Sequence, residues 1–480
     1  MSIILRILRN LLHGSKPAPS QTQPDLRSSA QSDRPMAKPA PRSFAATKAT
    51  SERTLIIGVD FGTSSTKVIW QDLSSNSFEV FQWLPHGKGL ASMLLPSTVT
   101  IREGALFFGI PEQNVREGDT WLHSIKLCVL CHRKSSICRC GNSKAQAGLI
   151  RIFNSNEPIP ASSLACLFLA YVFREVESRL ISQFPNEQVH MIWNIGCPLD
   201  HLDVTDRRSE WERMAGAAME LRTRVSNPVG RTLVAETTEL IRDFSVAPQE
   251  SRNYFVQPEG LAAVKAFLES PHAEQKTYAI VDVGAGTTEV SFFFNGRMMN
   301  ESGQPFRPSY LADSTEAVGG SKIDLELAQA WKCSIDQARR QKESTQDGTP
   351  VVSAVREICS QFQRTCRAIV TSQRLTSPHD MRFKLFIIGG GGRLRCLQNA
   401  LMQSALPKHF YREAWLELKP PKRLKNHASI EGNYDFFANA CGLASSIGWE
   451  YYPPSEVPPM NHPEIRRPVR RPDQDELYPK

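Results

Sequence analysis

Between residues 53 and 449 the chain alternates short apolar, β-branched runs with longer stretches in which apolar residues recur every three or four positions. The short runs at 54–59, 67–70, 190–195, 278–283, 289–294 and 383–388 read as strands, because strands favour β-branched residues and a period of two. The longer stretches at 162–182, 205–221, 321–331, 350–371 and 394–403 carry the 3.6-residue period of amphipathic helices. Strands exchanging with helices of this length predict an α/β architecture. Outside this region the pattern lapses. Residues 15–52 are rich in Ser, Pro, Ala, Gln and Thr, and 451–480 are rich in Pro and charge, so neither buries enough apolar surface to offset its ordering entropy. Before the first of these, residues 3–12 place Arg6, Arg9 and Asn10 on one narrow helical arc and Ile and Leu on the rest. That segment, 1–14, reads as an amphipathic basic helix. It suits peripheral membrane contact or an organellar presequence, with a helix packed on its own protein as the plainer alternative.

Composition narrows the class. The chain has 480 residues, 41% hydrophobic and 22% charged, which is ordinary for a globular protein of about two or three domains at roughly 150 residues each. No apolar run approaches the ~18 residues of a membrane span. The net charge is +8, but eight Lys or Arg face three acids within the first 52 residues, so the folded part is nearly balanced and nucleic acid is not an expected partner. The 11 cysteines mostly stand singly in apolar stretches, as Cys166, Cys359 and Cys441 do. That usage fits reduced thiols in a cytoplasmic setting better than a secreted disulfide framework.

Two segments share an uncommon plan. Leu55 to Val68 is a strand ending in Asp60, then Gly62-Thr63-Ser64-Ser65, then a second strand; Ala279 to Val290 repeats it with Asp282 and Gly284-Ala285-Gly286-Thr287-Thr288. Glycine lets backbone N–H groups approach an anion, hydroxyls add donors, and an Asp at a strand end holds a divalent cation through its water shell. Two such turns facing each other would clamp a polyphosphate and its Mg²⁺. A third element, Phe386-Ile387-Ile388 running into Gly389-Gly390-Gly391-Gly392-Arg393, is a buried strand, a four-glycine turn and a helix start. It is neither a dinucleotide fingerprint nor a Walker A loop.

These three segments, in this order, resemble the two phosphate motifs and the adenosine motif of the actin, sugar-kinase and heat-shock-chaperone ATPase superfamily. Pro96-Ser97-Thr98-Val99, His123 to Leu127, Pro258 to Ala263, Gly319 to Asp324 and Asn439 to Ala444 are further similar to segments of the DnaK-type chaperone ATPase domain. The resemblance implies a two-lobed actin-like (ribonuclease H-like) fold with an interlobe nucleotide cleft. Lobe I would span 53–257, with an outer subdomain at about 90–154. Lobe II would span 258–450, with an outer subdomain at about 321–382 and a final helix returning to lobe I.

It also implies roles. Asp60 and Asp282 would hold hydrated Mg²⁺. Gly62, Thr63, Ser64 and Ser65 would wrap the phosphates of ATP from one lobe, and Gly284, Gly286, Thr287 and Thr288 from the other. Gly319 and Gly320 would close on them. Lys126 would stabilise the transferred phosphoryl and Glu259 would orient water. Gly389, Gly390, Gly391, Gly392 and Arg393 would cup the adenosine, with Arg367 a candidate to stack on the base. The sequence departs from the family in placing Glu259 after Pro258, in Lys67 on the second strand, and in Leu394-Arg395-Cys396 after the glycine turn. No β-sandwich peptide-binding domain follows Trp449, so the expectation is a slow ATPase whose lobe closure is read by a separate protein partner or client. Two rivals remain open: an actin-like filament or membrane scaffold, and a small-molecule kinase of the sugar-kinase branch.

Cys128, Cys131, Cys138 and Cys140 form a C-x2-C-x6-C-x-C group. Four thiolates in one loop match a structural Zn²⁺ site in number and type. Free or redox-active thiols, with pKa lowered by Arg133, Lys134 and Arg139, are the alternative.

Overall fold

A computed structural model of the chain describes residues 51–447 apart from 86, 88, 131–144, 147–148, 151–157, 199–204, 249–250, 272, 275, 296–308, 345–349, 372–380 and 409. Segments 1–14 and 451–480 and three of the four clustered cysteines therefore lie outside the described residues. The architecture is mixed α/β, as the periodicity predicts, and it is built twice over.

The first large sheet has the strand order Tyr254–Pro258, Glu187–Cys197, Ser51–Phe61, Ser65–Asp72, Ser77–Val80, with Leu95–Pro96 added beside Ser65–Asp72. The second has the order Phe410–Leu416, Met381–Ile388, Lys276–Val283, Thr288–Asn295, Ser309–Glu316. In each, the first strand in sequence forms an antiparallel hairpin with the second, and the third strand pairs antiparallel with the second. The remaining two strands run parallel to the first on its other side. Strands predicted from pattern appear at each expected place with longer ends, the first starting at Ser51 within the segment expected as linker. Helix Thr205–Leu221 has the predicted bounds, and the helix expected from 350 begins at Ser353. No helix among the described residues is long and apolar enough to cross a membrane.

Period-two alternation decides how the sheets are buried. Leu55, Ile57, Val59 and Phe61 face a cluster that includes helix Ala161–Gln183, while Ala279, Val281 and Val283 face a separate cluster that includes helix Ser353–Thr371. The opposite faces meet a common core. There Ile69 from one sheet and Tyr278, Ile280, Phe293, Phe386 and Ile388 from the other pack with helices Glu259–Glu269 and Ala438–Ala444. Phe267 lies 4.3 Å from Tyr278 and 5.2 Å from Phe386, centroid to centroid. Backbone meets backbone here: a Cβ on Gly58 would overlap Ala440 O and lie 2.5 Å from Ala444 N, and one on Gly442 would overlap Ala262 O. The two helices between the sheets can approach this closely only because those positions carry no side chain.

Candidate functional site

The same alternation sets the two aspartates. With Leu55, Ile57, Val59 and Phe61 committed to the outer core, Asp60 falls on the face that looks toward the common core; with Val281 and Val283 turned outward, Asp282 does the same. Both are buried. The hairpin registers are equivalent: Asp60 stands opposite Lys67, and Asp282 stands opposite Glu289. Lys67 donates from Nζ to Asp60 Oδ2 at 3.0 Å, and a Cβ on Gly62 would come within 2.9 Å of that ammonium. Lys67, which on sequence alone reads as well as a surface strand residue, thus lies over the first glycine turn.

Lys126 is on helix Ile125–Leu130 and is 2% exposed, so it is neither on a strand nor at the surface. Its Nζ donates to Glu259 Oε1, at the start of helix Glu259–Glu269. Glu259 in turn sits against the end of strand Glu187–Cys197, where a Cβ on Gly196 would lie 3.3 Å from its Oε1. The turn of the second hairpin reaches this region directly: a Cβ on Gly286 would lie 2.5 Å from Leu127 Cδ2. Gly319 and Gly320 dock on that turn, Gly320 N donating to Gly284 O at 2.9 Å and Ser321 N to Ala285 O at 2.8 Å. The structure therefore brings together Asp60, Gly62, Lys126, Glu259, Asp282, Gly284, Gly286, Gly319 and Gly320, with Thr63, Ser64, Ser65, Thr287 and Thr288 filling out the two turns.

The electrostatics of this cluster are strained by burial. Burial works against the Lys126 ammonium, but Glu259, Asp60 and Glu289 together hold its pKa above the ordinary lysine value. Glu259 is pushed up, first by burial and then by Asp60 and Asp282, against the pull of Lys126. Asp282 is pushed up to about 6 by burial, with Asp60 adding; the Asn439 amide, which donates to its Oδ2 at 2.7 Å, opposes the rise, as do Lys67 and Lys126. Four carboxylates (Asp60, Glu259, Asp282, Glu289) share the site with two ammoniums (Lys67, Lys126). Such an oxygen-rich, net-negative cluster fits a hard cation. No group of three or more His, Cys, Asp or Glu among the described residues is arranged to hold a metal ion directly.

The glycine turn is closely packed on the side where a Cβ would stand. Each of its Cβ positions is taken by protein: Gly389 abuts Asp282, Gly390 abuts the Phe436 ring at 2.9 Å, Gly391 abuts Val283 at 2.6 Å and Gly392 abuts Ile387 at 3.0 Å. Gly389 also has φ +79°, in the left-handed region glycine favours. Arg393 reaches across to the 432–436 turn, donating to Asp435, to Asn433 Oδ1 at 2.8 Å and to Gly432 O, with its guanidinium 4.4 Å from the centroid of Phe436. Arg367 lies exposed on helix Ser353–Thr371, whose packing is against strand Ser309–Glu316 and helices Gly320–Trp331 and Arg395–Gln403. Cys128 is buried in helix Ile125–Leu130.

Glu289 and Asn439 are the site residues that motif reading passed over as individuals. Glu289 had a signal, since it follows Asp282 by the same seven positions that separate Lys67 from Asp60. Asn439 opens the segment 439–444 already singled out, but its partner, 157 residues away, could not be read from the sequence. No family model matches the chain, and no curated protein does.

Proposed function

We propose that this chain is an actin-like, DnaK-type ATPase that binds Mg-ATP between its two halves and hydrolyses it slowly, with halves that close on nucleotide and a protein partner that reads the closed state. The observation that carries the reading is the convergence of Asp60 and Asp282, at equivalent positions of duplicated hairpins, on the buried Lys126–Glu259 pair. Duplicated strand order and direction support the two-lobed fold. The turns at Gly62 to Ser65 and Gly284 to Thr288 supply backbone and hydroxyl donors for phosphate oxygens from two sides. Lys126 is held charged, so it can offset negative charge that develops on the transferred phosphoryl. Glu259, raised by burial and tied to Lys126, is placed to accept a hydrogen bond from the attacking water and orient it. Mg²⁺, when bound, supplies neutralisation of the phosphate charge; Asp60 and Asp282 are the residues that would hold its waters. Catalysis of this kind is positioning and electrostatics, with little covalent work by the protein.

ATP affinity and turnover of the full chain, measured beside Lys126→Ala and Asp282→Ala, test the reading. The expected result is measurable ATP binding by the wild type, turnover abolished in Lys126→Ala with binding retained, and Mg-dependent binding weakened in Asp282→Ala. Absence of ATP binding by the folded wild type would overturn it.

A further inference from the structure

Beside the Lys126–Glu259 pair runs a chain of polar side chains with a fixed direction. In the first large sheet Trp193, Ile195 and Cys197 face the outer core, so Asn194 and Gly196 between them fall on the inner face. On the neighbouring strand Val256 faces outward, and Gln257, in register with Gly196, faces inward. Asn194 is fully buried and donates from Nδ2 to Leu443 O of helix Ala438–Ala444 at 2.7 Å. Its Oδ1 accepts from Gln257 Nε2 at 2.8 Å, and Gln257 Oε1 accepts from Lys265 Nζ at 3.2 Å. Lys265 stands on helix Glu259–Glu269 and is 2% exposed. Glu269, one turn further along that helix, is engaged elsewhere: it accepts from Ser445 Oγ at 2.6 Å and from Arg423.

The two ends decide the direction. Leu443 O is among the last four carbonyls of its helix, which have no partner within the helix, and a carbonyl only accepts. A lysine ammonium only donates. Two amides in series between such an acceptor and such a donor have one arrangement in which every link is a hydrogen bond, and that arrangement is the one present. Burial lowers the Lys265 pKa to about 8, with Glu269 opposing, so the ammonium persists at neutral pH. What the chain surrounds is Glu259. Gln257 precedes it by two residues. At Gly196 a Cβ would lie 3.1 Å from Glu259 Cγ and 3.2 Å from Leu443 Cδ1, so these two side chains flank the same point of the strand. The chain thus ties together the strand leading into Glu259, the strand beneath it and the helix end beside it.

We propose that Lys265 is a positioning residue for Glu259, acting through Gln257 and Asn194 to hold the elements around that carboxylate; its part in turnover rests on the reading of Glu259 as the group that orients water. Two measurements on the full chain test it. In ¹⁵N spectra of the Asn and Gln side-chain amides, Lys265→Met should shift the Asn194 resonance, two links away, and speed its exchange with solvent. In ATP turnover the same variant should lower kcat several-fold with KM unchanged, because Glu259 acts on water and not on nucleotide binding. Adding Lys265→Met to Gln257→Met should lower kcat no further than Gln257→Met alone, since a cut chain cannot be cut again, whereas independent packing defects would multiply. An Asn194 amide unaltered by Lys265→Met, or multiplying losses in the double variant, would overturn the proposal. If the wild type shows no turnover, the proposed reaction falls, and the spectra still decide whether the chain acts as one unit. If Lys265→Met does not fold, Gln257→Met, which cuts the next link, takes its place: an unaltered Leu443 carbonyl ¹³C resonance there rejects the relay.

Discussion

The hairpins Ser51–Asp72 and Lys276–Asn295 are the same device with opposite electrical surroundings. Each ends its first strand in a buried aspartate on the inner face, turns through glycine and hydroxyl residues, and sets a charged residue opposite that aspartate in register. In the first hairpin the opposing residue is Lys67, and Asp60 is held by an ion pair. In the second it is Glu289, and Asp282 is held by the neutral amide of Asn439. Duplicated backbone geometry therefore does not mean duplicated chemistry: the first half brings a cation to its aspartate, whereas the second sets an acid in register opposite its aspartate, whose carboxyl is pushed up to about 6 by burial, with Asp60 of the first hairpin adding. The second half is the one with more to gain from a cation.

The comparison breaks most completely if the pair that joins the halves is cut. Lys126 and Glu259 are both buried, so removing one leaves the other buried without its ion-pair partner. Lys126→Ala is expected to cost about 3–5 kcal/mol of unfolding free energy in urea. Replacing both by apolar residues of similar volume (Lys126→Met with Glu259→Leu) should cost much less, and equal losses in the single and double variants would refute the pairing.

The electrical asymmetry is read by pH. An acid whose folded pKa is raised binds its proton more tightly folded than unfolded, so Asp282 makes stability fall as pH rises from 3.8 through about 6. The contribution is at most about 3 kcal/mol, from roughly two pKa units at 1.36 kcal/mol each. Stability of Asp282→Asn measured across that range should be flatter than wild type, and parallel profiles would show that Asp282 is not raised.

Packing differs at the position two residues before each aspartate, which is Gly58 in one half and Ile280 in the other. Helix Ala438–Ala444 lies on Gly58, so Gly58→Ala forces backbone apart and should cost about 1–3 kcal/mol. Ile280→Val, a loss of one methyl, should cost about 0.5–1.5 kcal/mol. Equal tolerance of the two would mean the helix does not seat as close as the structure has it. The smallest effect is expected from Lys67→Met, about 1 kcal/mol for a partly exposed pair. Because Lys67 opposes the rise at Asp282, its loss should move the Asp282 carboxyl titration upward in ¹³C NMR, and a downward shift would contradict the register.

Much of the fold was legible in the pattern because the signals are local. Strand runs at 54–59 and 278–283 and the helix at 205–221 need nothing beyond propensity and period, and the matched Asp-x-Gly turns mark the duplication. The glycine turn was legible as a place of close approach, but what approaches Gly390 is the Phe436 ring, 46 positions away.

The sequence by itself determined the alternating elements, the two hairpins and, through strict period-two alternation, the face on which Asp60 and Asp282 lie. Tertiary structure alone decided that Lys126 is buried on a helix against Glu259, 133 positions away, and that the Asn439 amide donates to Asp282. The division follows from range: backbone propensity and side-chain parity act over a few residues, whereas burial and charge pairing depend on which distant segments the packed core brings into contact.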